Sequence, residues 1–184
     1  GNVRYIYDKH PGAYVVFIGP CIAKKQEAEA MGAPDAVMTF EELQALFDAL
    51  GVDPENCDEE MEPDATSYGR RFSSTGGVSA SVIKAASELG VEGIKARPAA
   101  GVKECKVALA MLKAGKLPED IIEGMACENG CISGPGSIAL LAQLKAARLK
   151  KIKDKDDDSI GDMLKAMDAE NVDMHRASFE PVQK

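Results

Sequence analysis

No apolar run in this chain of 184 residues approaches the roughly 20 needed to cross a bilayer, so a membrane-spanning helix is excluded. The opening GNVRYIYDKHPGAYVVFIGPC has an apolar run of only a few residues, ending at Pro20, and does not read as a signal peptide. An excess of basic charge is also missing. Twenty-two Lys and Arg against 30 Asp and Glu leave a net charge of -8, which argues against nucleic acid or an anionic membrane as the main partner. Nor is there an even, regularly spaced set of cysteines. Five at irregular spacing, in a chain large enough to fold without staples, favour free or metal-bound thiols in a reducing, cytoplasmic setting. Without a Cys-x-x-Cys pair a zinc ribbon is disfavoured. The run KDKDDD (Lys153–Asp158) lacks the residue order of a calcium loop and reads as a solvated linker. There is no internal repeat and no tryptophan. What remains, 45% hydrophobic and 28% charged, is the composition of one globular domain with at most a short tail.

Along the chain, short β-rich runs alternate with helical patterns. AYVVFIG (Ala13–Gly19) has the length and branched apolar content of a strand buried on both faces. CIAKKQEAEAMG predicts a helix closing at Gly32, and DAVMT (Asp35–Thr39) a second strand. Thr39 with Glu42 three residues on forms a capping box for a helix that stops at Gly51. The acidic stretch from Val52 to Ser74 reads as a long surface loop. Helices are expected over Gly76–Gly90 and Val102–Gly115, strands over Gly93–Ala99 and Ile121–Cys127, and two further helices after Gly136. This order is that of an α/β fold with a mainly parallel sheet flanked by helices. Residues 1–150 form the body, and 151–184 a charged linker and helical tail.

Two cysteine stretches fall just after predicted strands, where ligands collect in parallel sheets: Cys21, and the pair Cys127 and Cys131. Small buried hydrophobes beside a turn would explain them, and so would thiolates held for an iron–sulfur cluster. Gly130, Gly134, Pro135 and Gly136 suit the second reading, since a bulky cluster needs close backbone approach. Cys57, among carboxylates, and Cys105, inside a helix, are weaker candidates. Spacing alone leaves the matter open.

The residues themselves go further. FIGPCIAKKQEA (Phe17–Ala28) resembles the second signature of the [FeFe]-hydrogenase catalytic domain, roughly M-P-C-x-x-K-K-x-E. EGMACENGCISGPG (Glu123–Gly136) resembles the third, E-x-M-x-C-x-x-G-C-x-x-G-G-G. FSSTGGVSASVIKAA (Phe72–Ala86) is similar to the F-G-A-T-G-G-V-x-E-A segment between them, and MTFEEL (Met38–Leu43) to a strand-to-helix junction. The resemblance runs in order from about Ala13 to Leu149. It implies one lobe of a two-lobed domain that binds the H-cluster, a [4Fe–4S] cube joined through a cysteine sulfur to a diiron unit with CO and CN ligands. Cys21 and Cys127 would bind the cube, and Cys131 would bind it and bridge to the diiron unit. Lys24 would hydrogen-bond a cyanide ligand, Glu27 would reach back to hold Lys24, and Met125 would pack its thioether beside the diiron unit. The implied reaction is H2 ⇌ 2H+ + 2e−.

Several features depart from the family pattern. Only 20 residues precede Cys21 and none is cysteine, so the first motif and its cube ligand are missing. The expectation is a fragment, with Gly1 a cloning scar, that holds no intact H-cluster alone. Its partners would be the missing N-terminal lobe and an electron-carrier or signalling domain. Gly19 stands where the pattern has methionine, Glu128-Asn129 where it has Pro-Gly, and Gly134-Pro135-Gly136-Ser137 where it has three glycines and glutamine. These changes resemble a sensory branch of the family, in which the same cofactor would signal rather than turn over in bulk. A [4Fe–4S] assembly scaffold without a diiron unit and a plain α/β domain with buried cysteines are the remaining alternatives.

Overall fold

A computed structural model describes residues 2–58, 65–153 and 159–172. Its contacts divide the chain into two units, the first comprising Gly1–Glu62, Pro135–Ile138 and Asp168–Lys184, the second Pro63–Gly134 and Ala139–Met167.

The first unit holds α1 (Asn2–Lys9), β1 (Val16–Ile18), α2 (Ala23–Met31), β2 (Ala36–Met38) and α3 (Phe40–Leu50). β1 and β2 are parallel, with Val16 opposite Ala36 and Ile18 opposite Met38, and α2 is the crossover between them. α2 ends because Gly32 takes the left-handed conformation, φ 63°, and Gly51 ends α3 in the same way. The capping box at Thr39 is present in both directions. Thr39 Oγ1 accepts from the Glu42 N–H at 3.2 Å, and the Glu42 carboxylate accepts from the Thr39 N–H at 2.8 Å. The Glu42 carboxyl also takes the ammonium of Lys25, and chiefly that bond holds it below the ordinary carboxylate range.

Two sequence expectations change in this unit. α1 was not foreseen, although Val3, Ile6 and Tyr7 recur at helical spacing and pack with Val15 and Ala33. Asp35 fixes that packing, accepting from the Tyr7 hydroxyl and the Val15 N–H, each at 2.8 Å. The strand expected to be buried on both faces spans only Val16–Ile18, and Val16, Phe17 and Ile18 are all exposed. A sheet of two strands has too little neighbouring surface to cover them.

The second unit holds α4 (Ser67–Arg70), α5 (Gly77–Glu88), β3 (Ala96–Ala100), α6 (Val102–Lys113), β4 (Ile121–Met125), α7 (Leu141–Lys153) and α8 (Ile160–Ala166). β3 and β4 are parallel, Ala96 opposite Ile121 and Ala100 opposite Met125, with α6 crossing between them. The strands are therefore parallel and flanked by helices as expected, but they form two sheets of two strands each. The expected loop before Ser74 also contains structure. Thr66 caps α4, accepting from the Gly69 N–H at 3.0 Å, and Ser67 is fully buried where α4 packs on α5. Small polar residues suited both a loop and a capped turn, so their types did not distinguish the two. Residues 59–64 of that stretch, and the linker run apart from Lys153, lie outside the described residues. Among the described residues no helix is long and apolar enough to cross a membrane.

Candidate metal centre

In the second unit, β4 carries the chain into the cysteine pair. Its side chains alternate, so Glu123 and Met125 share the buried face while Gly124 lies against Cys105 on the other. The Glu123 carboxylate accepts from the N–H groups of Gly76, at 2.9 Å, and Ser79, at 2.8 Å. These donors belong to the start of α5, where the helix leaves amides unpaired and a negative charge is favourable. One carboxylate thus fastens the EGMAC strand to the FSSTGG turn. Glu123 was matched in sequence without a role; a charged residue at an inward position of an otherwise apolar strand was the available signal.

Beyond Met125 the backbone turns tightly. The Gly130 N–H donates to the Cys127 carbonyl at 3.1 Å, and Cys131–Ser133 form a single 3-10 turn. The Ile132 N–H donates to the Ser73 carbonyl at 2.7 Å, tying the loop to the same turn. Asn129 has φ 65°, a conformation that asparagine tolerates better than most residues, and Lys145 donates to its side chain at 3.1 Å. Replacement of Pro-Gly by Glu-Asn is therefore compatible with a left-handed residue at this point. Gly130 has φ 88° and ψ -174°, and a Cβ there would stand 2.7 Å from the Thr75 nitrogen. Cys127 is half-buried and Cys131 exposed, and neither is in a disulfide. Cys105 is half-buried inside α6, its sulfur 3.5 Å from the carbonyls of Ala99 and Met125, so it packs as expected.

Cys21 lies in the first unit, after the carboxyl end of β1 and just before α2. Lys24, on the first turn of α2, donates to Glu27, so that pair is formed. A stretch of the third motif returns to this unit. The Gly136 N–H donates to the carbonyl of Pro20, the neighbour of Cys21, at 2.9 Å. A Cβ at Gly136 would lie 2.8 Å from the Thr39 side chain, so glycine permits that approach. The space of a Cβ at Gly19 is taken by the Phe17 ring, 2.9 Å away; the methionine of the family pattern would have to displace it.

The site residues thus form two groups: Cys21, Lys24 and Glu27 in the first unit, and Met125, Cys127 and Cys131 in the second. The donor chemistry suits an iron–sulfur group, with cysteines outside any disulfide on glycine-rich turns. The turn beneath the pair also holds the buried hydroxyls of Ser74 and Thr75, neither with a hydrogen-bond partner among the described residues. The fit is one of donors and backbone, not of a closed cage. Among the described residues no three His, Cys, Asp or Glu are grouped so as to hold a metal ion.

The family model of the iron-only hydrogenase large subunit, C-terminal domain, matches residues 3–135. The chain belongs to this family. Among curated proteins it is similar to the periplasmic [Fe] hydrogenase large subunit of Nitratidesulfovibrio vulgaris Hildenborough. The two are 30% identical over an alignment 184 positions long, which covers 79% of this chain and 44% of the relative. The chain therefore spans less than half the length of that hydrogenase subunit. Among solved structures it is similar to an [FeFe]-hydrogenase whose oxygen inactivation begins at the 2Fe subcluster of its H cluster. The TM-score is 0.61 at 20% identity, over 94% of this chain and 63% of that one. This likeness establishes the hydrogenase-type α/β fold.

Proposed function

We propose that this chain is the part of a hydrogenase that supplies three cysteine ligands to an H-cluster, and that residues 1–150 are the responsible lobe. Family membership sets the chemistry, and one observation carries the assignment to residues. The hydrogen bond from Gly136 to Pro20 fastens the end of the third motif to the residue before Cys21. The end of the third motif and the residue before Cys21, well over a hundred positions apart in sequence, thereby meet within the first unit.

Cys21, Cys127 and Cys131 would provide thiolates, with Cys131 shared between the cube and the diiron unit, and a segment outside these 184 residues would provide the fourth cube ligand. When bound, the cofactor supplies the redox chemistry of H2 ⇌ 2H+ + 2e−. The chain's own contribution is positioning and charge. Glu27 restrains the Lys24 ammonium, whose charge suits an anionic cyanide nitrogen. Met125, on the buried face of β4, supplies an apolar, polarisable wall. The Ser73–Thr75 turn and Glu123 hold the cysteine loop in shape before any metal arrives.

Iron and sulfide content after anaerobic cluster reconstitution tests the ligand assignment. Native protein and the Cys57→Ala and Cys105→Ala variants should take up iron and sulfide with visible thiolate-to-iron absorption. Cys21→Ala, Cys127→Ala and Cys131→Ala should each lose most of it. Equal iron in the last three would sink the assignment.

A further inference from the structure

In the turn that opens α5, the backbone of Ser74 is satisfied on both sides. Its N–H donates to the Arg71 carbonyl and its carbonyl accepts from the Gly77 N–H, each at 3.0 Å. Its side chain is not. Ser74 is 7% exposed, and its hydroxyl is shut off from water with no hydrogen-bond partner among the described residues. A hydroxyl buried in this way costs stability, so one kept there calls for an acceptor. Other buried serines of the unit have theirs: Ser79 Oγ donates to the Gly76 carbonyl at 3.2 Å, and Ser81 Oγ to the Gly77 carbonyl at 2.8 Å. Ser67 and Thr75 share the lack of a partner, but Ser67 lies back on α4 and Thr75 is the family pattern's own threonine. Ser74 stands where the F-G-A-T-G-G pattern has alanine, so its hydroxyl is particular to this chain.

The place of Ser74 in the fold supplies the acceptor. The Ser73 carbonyl accepts from the Ile132 N–H at 2.7 Å. A Cβ on Gly130 would stand 2.7 Å from the Thr75 nitrogen and 2.9 Å from the Ser74 carbonyl carbon. The residues on either side of Cys131 therefore rest on the peptide units on either side of Ser74. The nearest chemistry that can change state at this turn is the sulfur of that loop, and a cysteine becomes a better acceptor once iron has displaced its proton.

We propose that the Ser74 hydroxyl donates a hydrogen bond to a sulfur of the cluster held at Cys131 and so raises that cluster's reduction potential; this rests on the reading that the loop holds an iron–sulfur cluster. Reduction adds negative charge that spreads onto the sulfurs. A donor directed at one of them stabilises the reduced form more than the oxidised form. The backbone bonds of the turn hold the donor in place before any metal arrives.

The test uses the full-length protein reconstituted with a [4Fe–4S] cluster, its iron and sulfide counted and its reduced cluster followed by EPR in a redox titration. Ser74→Ala, which installs the alanine of the family pattern, should disfavour reduction about tenfold, a fall of ~59 mV for one electron. Ser81→Ala removes a buried hydroxyl that has its own acceptors and should leave the potential unchanged. Before cluster loading, Ser74→Ala should unfold at the same or a higher denaturant concentration than the native protein, since it removes a polar group without a partner. A potential unchanged in Ser74→Ala at full iron content, or moved equally in Ser81→Ala, overturns the proposal. So does a lower unfolding midpoint for Ser74→Ala, which would show that the hydroxyl serves the fold. Native protein that takes up no iron and sulfide would sink the reading of the cysteine loop itself, and this assignment with it.

Discussion

Gly130→Ala should destabilise the second unit by about 3–5 kcal/mol and abolish iron uptake by the cysteine pair. Two independent causes add. At φ 88° and ψ -174° the residue occupies a region open essentially to glycine alone, costing a side chain about 1–3 kcal/mol. The new methyl would then meet the Thr75 nitrogen at 2.7 Å, and the Ser73 oxygen and Ser74 carbonyl carbon at 2.9 Å. All three are backbone atoms, so no side chain can swing aside. Relief requires the loop to lift from the turn, breaking the bond from Ile132 to Ser73 and freeing Cys131 from its orientation. Gly12→Ala is the control, because it shares a positive φ, 83°, but has nothing within 4 Å of its Cβ. Denaturant unfolding of both variants separates clash from backbone strain. A Gly130→Ala protein no less stable than Gly12→Ala would contradict the packing described.

Glu123→Ala is expected to cost about 2–4 kcal/mol, because it leaves two amide donors buried without a partner. The Gly76 and Ser79 N–H groups have the carboxylate as their bonded acceptor, and Glu123 itself is 8% exposed, so water offers little compensation. Glu123→Gln should fall between native and alanine, since one amide oxygen replaces two carboxylate oxygens and the helix N-terminus loses its counter-charge. Amide exchange at Gly76 and Ser79, read by NMR, checks the mechanism as well as the size. Both should become unprotected in Glu123→Ala while the β3–β4 ladder stays protected. Unchanged protection at the two amides would show that the carboxylate does not hold them.

Much of this arrangement is legible from local chemistry. Thr39 and Glu42, three apart, dictate a capping box, and Gly32 and Gly51 dictate helix ends, because those signals act over a few residues. The cysteine motifs are legible for the same reason. α1 was missed because its apolar residues are few and mixed with charges, so its stability comes from packing on Val15 and Ala33. The burial of β1 was misjudged because a branched apolar run specifies a strand and not what covers it. For Glu123 the apolar strand around it signals a special position, but not its partners, which lie 47 and 44 residues away.

Infrared spectroscopy of the full-length protein, matured anaerobically with the diiron unit, tests the central claim most directly. If Cys131 joins the cube to the diiron unit, the native protein shows sharp CO and CN stretching bands, and Cys131→Ala loses them while Cys105→Ala keeps them. Iron-loaded native protein without such bands would contradict the assignment and leave a simple iron–sulfur protein in its place.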